Sequence, residues 1–149
     1  MRNIEHFRAI SRRYSDASIL MHEAIARKAG LSGTDHKYLG LIMQRGELTA
    51  GELAKITGLT TGAVTGLIDR LEKKDLVRRQ FDSTDRRKVI IVPNTENALR
   101  LLTPLFAGLQ EETSKLIASF SEREIEVIER YFQAAIALMT ETTERINAQ

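Results

Sequence analysis

The 149-residue chain contains no cysteine. Disulfides, thiolate metal sites, cysteine nucleophiles and cysteine redox sensing are therefore excluded together. Runs of about 18 apolar residues are also missing, so no membrane span is expected. The opening residues, Met1-Arg2-Asn3-Ile4-Glu5-His6, contain no apolar stretch after the basic start. No secretory leader is expected, and the cytoplasm is the expected location. His6, His22 and His36 lack the spacing of metal ligands. There is no nucleophile–base arrangement and no glycine-rich phosphate loop, so the chain does not read as an enzyme and no cofactor is expected.

What is present is ordinary globular material, 42% hydrophobic and 28% charged. The net charge of +2 is small, but it is unevenly placed. Residues 1–44 hold seven basic and four acidic side chains, residues 45–92 ten and seven, and residues 93–149 five and nine. Residues 70–88 alone hold eight basic and four acidic side chains. A polyanion is attracted to that segment and repelled by the C-terminal third.

Apolar periodicity predicts a mainly α fold. Phe7, Ile10, Tyr14, Ala17, Met21 and Ala24 recur at spacings of three and four, giving a helix over 4–29 that Gly30 and Gly33 end. A short helix over 34–44 follows. Thr49-Ala50-Gly51-Glu52 is a capping box, and it opens a helix over 50–57. Gly58-Leu59-Thr60 is a short joint to a helix over 61–74, which makes a helix-turn-helix. Two β-prone runs, 76–80 and 88–92, flank the polar tip 81–87 and predict a hairpin, or wing. Two long helices close the chain, over 95–120 with a kink expected near Pro104, and over 122–146 behind a Ser121/Glu124 capping box.

The helix over 61–74 has an unusual outer face. Val64, Leu67, Ile68 and Leu71 share the inner face, while Gly62, Thr65, Gly66, Asp69 and Lys73 point outward. Glycine within a helix costs roughly 1 kcal/mol relative to alanine. Two of them one turn apart make a flat surface suited to close approach, such as entry into a major groove. On the hairpin, Arg78 and Arg79 occupy alternate faces, so one of them is placed to meet phosphate. At the tip, Arg86 and Arg87 stand beside Asp82 and Asp85. Arginine on a ribbon tip suits a narrow minor groove, and the aspartates suit ordering of the loop.

These segments resemble the MarR (multiple antibiotic resistance regulator) family of bacterial transcription factors. The resemblance is carried by Leu48-Thr49-Ala50-Gly51-Glu52-Leu53-Ala54, by Gly58-Leu59-Thr60-Thr61-Gly62-Ala63-Val64-Thr65, by Asp69-Arg70-Leu71-Glu72-Lys73-Lys74, and by Leu76-Val77-Arg78-Arg79 with Asp82-Ser83-Thr84-Asp85-Arg86-Arg87. It implies a winged helix-turn-helix lobe over 34–94 and a helical dimerisation region made of 1–33 and 95–149. It further implies a homodimeric repressor of a pseudo-palindromic DNA site, with the helix 61–74 in the major groove and the wing 76–92 at the minor groove. By position, Thr60, Thr61, Gly62, Thr65 and Arg70 face DNA, and Arg86 or Arg87 enters the minor groove. Two residues depart from the family pattern: Gly66 stands where a basic residue is common, and Asp75 where the helix end usually has glycine.

The apolar strips on the terminal helices exceed what a small winged lobe can bury, which independently favours a partner chain. The family resemblance also implies release from DNA by a small aromatic or anionic effector bound between scaffold and lobe. Tyr14, His22, His36, Tyr38 and Met43 lie on helices that would border such a site. A winged scaffold that binds protein would use the same helices, but it would not need the basic hairpin tip.

Overall fold

The computed structural model describes residues 2–83, 85 and 88–148, with Arg2 described in its backbone only. It contains six helices and three strands among those residues: α1 (Arg2–Lys28), α2 (Gly33–Arg45), β1 (Leu48–Thr49), α3 (Ala50–Thr57), α4 (Thr61–Lys73), β2 (Val77–Phe81), β3 (Val89–Pro93), α5 (Thr95–Ala118) and α6 (Glu122–Asn147). The fold is mainly helical with a small antiparallel sheet in the order β1-β3-β2. β2 and β3 form the wing, in register from Val77↔Pro93 to Phe81↔Val89. β1 adds a third strand through Leu48↔Ile91 and Thr49↔Ile90, a pairing absent from the sequence expectation.

Local chemistry sets the boundaries. Ser32 caps α2 by accepting from the Asp35 amide at 3.0 Å. Thr49 and Glu52 form the expected capping box at the start of α3. The Glu52 carboxylate sits below the usual carboxylate range, chiefly because the Thr49 backbone amide donates to it. α4 ends at Asp75, the one described non-glycine residue with positive φ, at 55°. There the Leu76 amide reaches the Leu71 carbonyl and the Asp75 amide reaches that of Glu72, the paired bonds of a left-handed helix stop. The Asn97 side-chain amide donates to both the Asp75 carbonyl and its carboxylate, securing the residue that replaces the usual glycine.

The core lies in the lobe. Leu39 and Ile42 of α2, Leu53 of α3, Val64, Leu67, Ile68 and Leu71 of α4, and Val77 and Ile91 of the wing are buried together. The long helices contribute little to it. α1 supplies Ala26, α5 supplies Ala98, and α6 has no buried residue. α6 packs on α1 at its aromatic residues, where Phe7 and Tyr131 meet edge to face at 4.9 Å. α5 continues through Pro104 as a single helix.

Candidate nucleic-acid interface

The helix-turn-helix is built from the short α3, a turn and α4. Thr57 donates its hydroxyl to the Leu53 carbonyl at 2.6 Å and accepts from the Leu59 amide at 3.3 Å. Gly58 takes φ 69°, which permits the reversal, and its amide closes on the Ala54 carbonyl. Thr60 then caps α4 by accepting from the Ala63 amide at 3.2 Å. Thr60, Thr61 and Gly62 form an exposed first turn. Thr65 donates its hydroxyl to the Thr61 carbonyl at 3.0 Å, and the residue is exposed. A Cβ added at Gly62 would meet nothing within 4 Å, so this face is open.

Ion pairs clamp α4 on both flanks. On the α2 side, Arg70 donates Nε and Nη2 to the Asp35 carboxylate, the shortest contact being 2.8 Å. On the wing side, Arg79 binds Glu72 and Asp69 together. Arg79 is thereby engaged inside the lobe, whereas Arg78 on the opposite face of β2 is exposed. Lys73 is exposed at the C-terminal end of the strip between the clamps. Gly66 lies in the same strip, partly covered by Arg70.

The described part of the wing tip is closed by its own backbone. The Asp82 amide donates to the Lys88 carbonyl at 3.0 Å, and the Lys88 amide to the Asp85 carbonyl at 2.8 Å. The Asp82 carboxylate accepts from the Asp85 amide at 3.1 Å. Arg86 and Arg87 lie outside the described residues.

Of the residues expected to border an effector, the structure brings two together. His22 of α1 and His36 of α2 lie 5.4 Å apart, and both contact Phe106 of α5. A cleft of about 670 Å³ opens beside them, lined also by Ile19, Glu23, Thr34 and Lys37. Burial, with His22 nearby, holds His36 below the usual histidine range. Tyr14 is elsewhere, against Phe132 of α6. Tyr38 is buried in the lobe core, and Met43 packs half-buried against it. Sequence reasoning missed Asp35 and Phe106, because each acts through a partner distant in the chain.

A helix-turn-helix followed by a wing, with an open first turn on the second helix and a basic flank, is the architecture of a DNA-binding transcriptional regulator. Residues 29–88 match the MarR family. The chain is 42% identical to the HTH-type transcriptional regulator YcgE of Bacillus subtilis, over 91% of this chain and 87% of that one. It is 30% identical to the HTH-type transcriptional regulator MhqR of the same organism, over 85% of this chain and 86% of that one. The fold is similar to that of a MarR family protein from Bacillus stearothermophilus, with a TM-score of 0.71 and 26% identity over 93% and 96% of the two chains. It is also similar to a mutant MepR of S. aureus bound to an oligodeoxyribonucleotide, with a TM-score of 0.56 and 22% identity over 87% and 97%. The chain belongs to the MarR family. Like its relatives it is a transcriptional regulator and not an enzyme. Among the described residues no helix is long and apolar enough to cross a membrane.

Proposed function

We propose that the protein is a homodimeric repressor that binds a pseudo-palindromic operator and leaves it when a small aromatic or anionic effector binds. Residues 34–94 serve as the reading lobe, with 1–33 and 95–149 as the dimer scaffold. The outer strip of α4, from Thr60 through Thr65 to Lys73, enters the major groove. Arg78 meets backbone phosphate, and Arg86 or Arg87 reaches the minor groove from the wing tip. The effector takes the cleft beside His22 and His36, between scaffold and lobe.

The observation that carries this reading is the open, side-chain-poor face of α4 between two ion-pair clamps. The clamps fix the helix in the lobe while leaving Thr61, Gly62 and Thr65 exposed. Dimerisation is supported by the exposed apolar residues of α1, α5 and α6, among them Ile4, Leu20, Leu116, Ile136 and Leu138. Apolar exposure on this scale marks an interaction surface. A two-fold dimer sets its two α4 helices about one duplex turn apart, about 34–36 Å. Selection of bound duplexes from a random-sequence library tests the proposal. An inverted repeat with half-site centres about 10 base pairs apart is expected, and enrichment of no repeat would refute it.

A further inference from the structure

Asp35 is a carboxylate removed from water. Only 4% of it is exposed, in the first turn of α2. A buried acid needs compensation, and Arg70 supplies it through Nε and Nη2. The helix N-terminus adds to this, since its amides favour negative charge. The guanidinium is tied along one edge, yet the Arg70 side chain remains 55% exposed. Among the described residues its third nitrogen, Nη1, has no hydrogen-bond partner. Nη1 lies over Gly66, 3.4 Å from where a Cβ would stand. Because Gly66 has no Cβ, the space one turn back along α4 is left to the guanidinium.

The geometry points to Asp35 as a positioning residue of the DNA interface: it holds Arg70 over Gly66, so that Nη1 is delivered to a backbone phosphate at the edge of the groove. This rests on the DNA-binding geometry proposed above. Phosphate is favoured over a base edge by position. Asp35 takes the Nε proton and one Nη2 proton, which leaves the end of the guanidinium that carries Nη1 free to donate. Arg70 lies on the flank of α4 next to α2, away from the centre of the open strip, where a groove wall would pass. There it meets a phosphate oxygen, a contact that sets register and orientation.

The test uses the full chain and the inverted-repeat duplex that the wild type selects, with an unrelated duplex as reference. Arg70→Ala should lower the salt slope of binding by about 0.9 for each phosphate it no longer neutralises. Asp35→Ala leaves the cation but frees it. Affinity for the repeat should then fall about tenfold, while binding to the unrelated duplex holds or tightens, since an acidic group has been removed. In the Arg70→Ala background, Asp35→Ala should have no further effect on the repeat. Gly66→Met keeps Asp35 and displaces the guanidinium, so it should match Arg70→Ala. The inference is overturned if folded Asp35→Ala keeps wild-type affinity and specificity, or if its loss persists without Arg70. It is equally overturned if Gly66→Met binds normally. Selection of no repeat by the wild type would instead sink the parent reading, and this one with it.

Discussion

His36 of α2 stacks on Phe106 of α5, with ring centroids 6.2 Å apart and planes 15° from parallel. His22 of α1 closes the group against both rings. α2 therefore meets α1 and α5 through two imidazole rings and one phenyl ring. A proton taken up by His36 would place a charge within this joint.

Acid should weaken the fold at this joint. His36 is held below the usual histidine range, first by burial and then by His22. An unfolded chain lacks both effects and takes up the proton at about pH 6.5. Between the depressed folded value and that value, the unfolded state binds more protons than the native state. The contribution of His36 to stability is complete above about pH 6.5 and is lost as pH falls from there through the lower folded value. Urea unfolding at a series of pH values should show this loss, and His36→Phe should flatten it. An equal pH dependence in His36→Phe would assign the effect to other groups.

The left-handed Asp75 should be sensitive to the choice of side chain. Its φ of 55° suits asparagine and aspartate better than residues without a short polar group. Asp75→Ala also loses the carboxylate that accepts from Asn97. A loss of about 1–2 kcal/mol is expected for Asp75→Ala, with Asp75→Asn retaining most of the stability. Urea midpoints at constant m-value would measure it, and an unchanged midpoint in Asp75→Ala would contradict the assignment.

The legibility of the chain followed the range of its interactions. α3 is bounded by its capping box and by Gly58, both local, and its expected and observed limits coincide at Ala50–Thr57. The inner face of α4 was equally readable, because Val64, Leu67, Ile68 and Leu71 repeat with the helical period. β1 was not readable. Its two residues are too few to show alternation, and it exists through pairing with β3 some forty residues later. The Asp35–Arg70 pair spans 35 residues, and a charge pattern along the chain cannot reveal such a contact. Arg79 shows the same limit: alternation put it on a face of β2, but the carboxylates that capture it lie on α4. The two histidines of the cleft carry no shared spacing, and only the fold stacks them.

The adjacent arginines of β2 should separate in their effects. Arg79 is tied to Asp69 and Glu72, so Arg79→Met should destabilise the lobe by roughly 1 kcal/mol, as expected for a partly exposed pair network. Arg78 is exposed on the other face. Arg78→Met should leave the melting temperature alone and reduce the salt slope of operator binding by about 0.9 per phosphate left without its cation. Equal salt slopes for wild type and Arg78→Met would remove this residue from the interface.

The proposed dimer should yield to charge placed on the apolar face of α6. α6 exposes Ile136, Leu138 and Met139 within one turn, yet buries no residue in its own chain. A helix of this length gains most of its stability from packing an apolar face rather than from propensity. In a dimer these side chains are covered, so a carboxylate there must either leave the interface or be buried without a partner. Ile136→Glu with Met139→Glu, which share one side of the helix, should therefore give a monomer by sedimentation. The melting temperature of the wild type should rise with protein concentration, and that of the variant should not. Operator affinity should fall with the dimer, because each lobe then holds a single half-site and the gain from linking the two is lost. The lobe core does not include these residues, so its near-UV signal should survive in the variant. A variant that stays dimeric would show that the partner chain docks elsewhere, and the scaffold assignment of α6 would fail.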